Sequence, residues 1–110
     1  MTDTRLIMHC LEKRGIKQSN SGFMYLRELL ELMNEDQRLH KYMYDYYDKL
    51  AQKFNTKPTS IERAIRYSIA HTGLSNKEFV YHLYNEMMCW TSTEKRMLQQ
   101  IDRPPVMDSL

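Results

Sequence analysis

The stretch KFNTKPTSIERAIRYSI, residues 53–69, carries the clearest chemical signature in the chain. Over residues 53–66, Lys53, Lys57, Arg63 and Arg66 stand against Glu62 alone, a local charge of +3 in a chain whose net charge is +2. The remainder is therefore slightly acidic, and the basic character is concentrated in one place, as a polyanion-binding surface requires. With Ile61, Ala64, Ile65, Ser68 and Ile69 on the inward face of a helix, Ser60, Arg63 and Tyr67 fall on the opposite stripe, flanked by Glu62 and Arg66. An arginine so placed can grip O6 and N7 of guanine with two parallel hydrogen bonds, and a carboxylate can accept from N4 of cytosine. Lys53, Lys57 and the helix termini near the turn suit phosphate oxygens, which position a protein without reading sequence. The candidate DNA-contacting residues are Lys53, Lys57, Thr59, Ser60, Glu62, Arg63, Arg66 and Tyr67.

Other chemistries find less support. His9, His40, His71 and His82 are scattered, and no HxxxH, HExxH or Cys/His cluster provides ligands for zinc. No Ser/His/Asp, Cys/His or paired-carboxylate spacing suggests catalysis, and neither a cofactor nor a small-molecule substrate is expected. Cys10 and Cys89 lie in unrelated segments without CxxC spacing and read as free, buried thiols in a reducing compartment. A membrane span would need a run of about 18 apolar residues. The chain has none, nor an apolar segment of signal-peptide type at its start, so the expected location is the cytoplasm.

A base-reading arginine works only on a helix held by a core, and 110 residues suffice for one domain. Three glycines and three prolines are too few for the turns of an all-β sandwich, whereas helical periodicity runs throughout. A first helix is predicted over Thr4–Arg14, stopped by Gly15, and a second over residues 22–33, with Leu26, Leu29, Leu30 and Met33 inward and Glu28 and Glu31 facing water. The third runs from about Leu39 to Phe54, with Met43, Tyr47, Leu50 and Phe54 on one face and four of the eight tyrosines in YMYDYYDKL. The fourth covers about 59–72. Its Thr59 and Glu62 have capping-box spacing, so Glu62 is either the N3 member of that box or a reader of bases. Ser75 and Glu78 repeat the box ahead of a fifth helix, with Leu74 and Phe79 as a hydrophobic staple, and Thr91 and Glu94 repeat it ahead of a sixth. The expectation is an all-α, six-helix domain over residues 1–103 with a loose tail at 104–110. Only residues 55–58 separate helices three and four, with Asn55 suited to a left-handed turn, so the pair fits a helix-turn-helix.

Two segments carry a family resemblance. GFMYLRELL, and LAQKFNTKPTSIERAIRYSI with its Phe-Asn-Thr followed by Glu-Arg-Ala-Ile-Arg, resemble the DNA-binding effector domain of the master sporulation response regulator family. The likeness is dense from Gly22 to Ile69 and weak beyond Thr72. It implies a six-helix effector domain whose third and fourth helices form the helix-turn-helix, in a transcription regulator that binds short, often tandem DNA boxes. It implies base contacts from Glu62 and Arg63, and a phosphate or DNA-proximal role for Arg66. Three departures stand out. Ser60 occupies a position where the family usually has arginine, Tyr67 replaces a histidine, and AHTGLSNKEF does not reproduce the family's Trp-Ser-Arg-Gly-Asn stretch. The family's receiver domain has no counterpart ahead of the first helix, so either a standalone effector-like protein or an excised domain is expected. The expected partner is double-stranded DNA, bound as a homodimer or in tandem, with Trp90 and the last helix as candidate dimer contacts. The rival reading is a helical protein-interaction module that kept the scaffold and lost specific DNA binding, for which an exposed tyrosine patch on helix three would speak.

Overall fold

The computed structural model describes residues 4–35, 42–90, 96 and 97. Its elements are α1 (Thr4–Lys13), α2 (Ser21–Glu35), α3 (Met43–Lys53), α4 (Pro58–Ser68), a 3-10 turn (Ala70–Thr72) and α5 (Asn76–Met88), with no strand among the described residues. The all-α class is as expected. Arg96 and Met97 are helical. The rest of the expected sixth helix, its Thr91–Glu94 capping box and the 104–110 tail lie outside the described residues.

Helix α2 is the centre of the molecule, packing against α1, α3, α4 and α5. Leu26, Leu29, Leu30 and Met33 are fully buried, and around them close Ile7, Cys10 and Leu11 of α1, Ile61 and Ile65 of α4, and Phe79, Val80 and Leu83 of α5. On α3 the buried residues are Tyr46, Tyr47, Leu50 and Ala51, while Met43 and Phe54 are only partly covered. The core face of α3 is therefore displaced from the expected stripe, because α2 and α4 both pack on this helix and claim the i, i+4 pairs 46/50 and 47/51. The helix also starts at Met43 rather than near Leu39. Tyr42 has extended backbone (φ −126°, ψ 115°) and stands as its N-cap.

The ends of the helices follow local chemistry. After α1, Gly15 takes φ 85°, the Ile16 N–H bonds the Leu11 carbonyl and the Gly15 N–H bonds Glu12, a Schellman closure that returns Ile16 to the core. A side chain at Gly15 would also collide with His71, whose Nε2 lies 2.8 Å from the Arg14 carbonyl oxygen. At α5 the capping box forms as expected, Ser75 accepting from the Glu78 N–H and Glu78 from the Ser75 N–H. Leu74 and Phe79 both pack on the core as the staple requires. Cys10 is buried, but Cys89 is exposed at the C-cap of α5, contrary to the expectation of two buried thiols. It lies two residues past Met87, about 200° around the helix from that core position. No described helix is long and apolar enough to cross a membrane.

Candidate nucleic-acid interface

The connection between α3 and α4 is four residues, Phe54 to Lys57, and its geometry is set by one backbone conformation. Asn55 has φ 54°, the left-handed region that asparagine tolerates better than other non-glycine residues. The Thr56 N–H then bonds the Ala51 carbonyl, the same six-to-one bond that Ile16 makes to Leu11 after α1, and the Phe54 N–H continues the helix to the Leu50 carbonyl. The chain turns at once into α4, and the two helices pack directly on each other.

Helix α4 begins two residues earlier than the capping-box reading predicts, and that box does not form. Lys57 is the N-cap, its carbonyl accepting from the Ser60 and Ile61 N–H groups, with Pro58 at the first helical position. Proline has no N–H to leave unsatisfied there, and its fixed φ already suits a helix. Thr59 and Ser60 are consequently the second and third helical residues, and Glu62, a further turn along, is out of reach of the N-terminus. No side chain caps α4; with no N–H on Pro58 and those of Ser60 and Ile61 bonded to the Lys57 carbonyl, the Thr59 N–H is the first-turn amide left without a side-chain acceptor. The other end is shorter than expected. The α-helix stops at Ser68, and residues 70–72 tighten into a 3-10 turn in which the Thr72 hydroxyl donates to the Ile69 carbonyl at 2.6 Å.

Thr59, Ser60, Arg63, Arg66 and Tyr67 are all exposed, Tyr67 to 72%. Ile61, Ile65, Ser68 and Ile69 are buried behind them and Ala64 half-buried, so the outward stripe faces solvent as its periodicity predicts. The expected cations are not equivalent. Lys53, exposed on α3, is ion-paired with Glu28 of α2. Arg66 pairs with Glu62 one turn back on α4, at 3.5 Å. Arg63 and Lys57 have no ion-pair partner among the described residues, and both are exposed.

Several residues that position this surface carry no signal in the periodicity. Gly22 of α2 lies so close to α4 that a Cβ there would stand 1.8 Å from Ser68 Oγ and 2.6 Å from the Ala64 carbonyl oxygen. Of the two glutamates expected to face water, Glu28 does not, whereas the bond of Glu31 lies at the exposed surface. Glu28 is half-buried between Lys53 and Arg27, and Glu31 accepts from the Thr4 hydroxyl at 2.6 Å. Asn76, the first residue of α5, is buried beneath α4, with its Nδ2 3.1 Å from Tyr47 OH on α3 and 3.1 Å from the Glu62 carbonyl oxygen. The Glu62 carboxylate lies 3.4 Å from the same nitrogen. Burial pushes the Tyr47 hydroxyl above its ordinary range; the bond from Asn76 opposes this and the charge of Glu62 adds to it. Of the four tyrosines of α3 and its cap, Tyr46 and Tyr47 are core residues, whereas Tyr42 and Tyr44 are exposed.

A family model described as the sporulation initiation factor Spo0A C terminal matches residues 7–102. The chain belongs to that family. Spo0A C-terminal domains are helical DNA-binding regulatory domains, and the matched span runs from within α1 past α5, taking in all of the described core except Leu6. No solved structure matches the chain. Both α3 and α4, and the short turn between them, lie inside the span matched to the Spo0A C-terminal family.

Proposed function

We propose that this chain is a sequence-specific DNA-binding transcription regulator whose α3–α4 pair acts as a helix-turn-helix, with α4 lying in the major groove of double-stranded DNA. The observation that carries this reading is the state of Arg63: exposed, unpaired among the described residues, and on the outward stripe within the first two turns of α4. Arg63 reads a base edge. Lys57 and the uncapped first turn of α4 meet phosphates, and Thr59 and Ser60 lie beside the same backbone. Lys53 contributes less than Lys57, because its ammonium group is already shared with Glu28. Arg66 acts on a phosphate close to the bases, and Tyr67 packs at the edge of the groove. Two copies bound in tandem or as a homodimer would double the contacts.

Selection of bound duplexes from a random pool, followed by salt titrations, tests the assignment. Arg63→Ala should lose discrimination worth about 1–3 kcal/mol at one base pair. Lys57→Ala should weaken all sequences alike and reduce the salt slope by about one unit. The absence of salt-dependent duplex binding in the micromolar range would overturn the proposal. One observation favours a second reading as a protein-interaction module, namely that Tyr42 is 57% and Tyr44 61% exposed. A partner protein retained by the wild type and lost in Tyr44→Ala, with no duplex bound by either, would favour that version.

A further inference from the structure

We propose that Asn76 is a positioning residue for the reading helix and that, in this chain, Glu62 is held by the protein to orient Arg66 rather than spent on a base. This rests on α4 being the DNA-reading element. A helix carbonyl already accepts one bond from the N–H four residues on, and its second lone pair is usually left to water. At Glu62 that lone pair faces the Nδ2 of Asn76, a buried side chain rooted on a different helix. The same nitrogen faces the Tyr47 hydroxyl, so one amide joins α3, α4 and α5 at the level of the outward arginines. The Glu62 carboxylate completes the chain of contacts, with Oε2 3.4 Å from Asn76 Nδ2 and 3.5 Å from Arg66 Nε.

The orientation of the amide follows from its surroundings. Exchanging its nitrogen and oxygen would set an oxygen against the Glu62 carbonyl and carboxylate, two acceptors that it cannot satisfy. As placed, Asn76 Oδ1 finds no donor in the structure. An amide that leaves a buried acceptor unpaired in order to donate to Glu62 and Tyr47 marks those bonds as the dominant ones. Ser75 caps α5 directly ahead of it, so Asn76 sits on a fixed helix start rather than on a loose loop.

Asn76→Asp tests this, since it preserves shape, removes both donors and suits the first turn of a helix. The probes are the duplex most enriched from a random pool by the wild type and a shuffled duplex of equal composition. Discrimination between them should fall about tenfold, the scale of one lost base contact, because α4 carries Arg63, while shuffled-duplex affinity should fall less, through the single phosphate contact of Arg66. Combining Asn76→Asp with Glu62→Gln reverses the side-chain bond, the introduced amide donating to the introduced carboxylate, but leaves the backbone carbonyl at 62 without its donor, and should recover only part of the discrimination. Equal weakening on both duplexes, unchanged discrimination, or a double variant that recovers nothing would overturn the inference. A DNA-free measurement covers variants that fold poorly. In the wild type the Asn76 side-chain amide protons should exchange slowly and shift on Glu62→Gln, and exchange as fast as at exposed Gln52 would refute the geometry. A wild type that enriches no duplex would overturn the reading of α4 itself and this inference with it.

Discussion

Replacing Gly22 by alanine sets two forces of opposite sign against each other, and the structure decides between them. Gly22 lies in the first turn of α2, where alanine is the better helix former by about 0.8–1 kcal/mol. Helix propensity alone therefore predicts a more stable protein. The added methyl would meet Ser68 Oγ at 1.8 Å, the Ala64 carbonyl oxygen at 2.6 Å and Ser68 Cβ at 2.7 Å, whereas relaxed heavy-atom contacts lie near 3.5–4.0 Å. Rotating the Ser68 hydroxyl away relieves only the first contact, because the Ala64 oxygen is backbone and the Ser68 Cβ is fixed to α4. The two helices must separate by an ångström or more, an overpacking that typically costs about 1–3 kcal/mol. The upper part of that range applies, so Gly22→Ala should lower stability by about 1–2 kcal/mol net. Thermal unfolding followed by helical circular dichroism should show Tm falling by roughly 4–8 °C for each kcal/mol lost in a domain of this size. A variant that melts at or above the wild-type temperature would refute the close α2–α4 approach. Because α4 is the helix displaced, duplex discrimination should fall in the same variant even where it remains folded.

The remaining predictions concern the supports of that scaffold. Burial acts to raise the Glu86 carboxyl, but the guanidinium of Arg14, with Nη2 at 2.5 Å, and the charge of Lys13 hold it below its ordinary value of 4.5. Its stabilising contribution is therefore complete above about pH 4.5 and is lost as pH falls through the lowered native value. Urea midpoints measured from pH 6 down to about 3 should fall less steeply in Glu86→Gln than in the wild type, and equal slopes would count against the pair. Burial, reinforced by Glu86, pushes the Cys10 thiol up to about 11, while Cys89 is exposed. A thiol reagent at pH 8 should label Cys89 readily and Cys10 only on unfolding, and two equivalents reacting at one rate would contradict this. Ser75→Ala should cost about 1 kcal/mol of unfolding free energy through the lost cap. Thr59→Ala should stay within about 0.5 kcal/mol of wild type, because Thr59 caps nothing in the structure.

Features that depend on neighbours along one helix or turn are legible in the residues themselves. The 3.6-residue spacing of Leu26, Leu29, Leu30 and Met33, the left-handed residues Gly15 and Asn55, and the Ser75–Glu78 box each involve interactions within a turn or two, so their side-chain types suffice to place them. The outward stripe of Ser60, Arg63 and Tyr67 was legible for the same reason, because it is the complement of an apolar face. The Thr59–Glu62 box had the right spacing and still did not form, since α4 already starts at Pro58, ahead of it. Tertiary structure alone decided which charges remain available. Glu28 reaches Lys53 across 25 residues of chain, Asn76 reaches Glu62 across 14, and Gly22 admits Ser68 because α2 and α4 pack closely. Those partners meet only once the helices are assembled, and no local periodicity records the distance between two helices. That assembly leaves Arg63 and Lys57 exposed and unpaired among the described residues, while Lys53 and Arg66 are held by carboxylates.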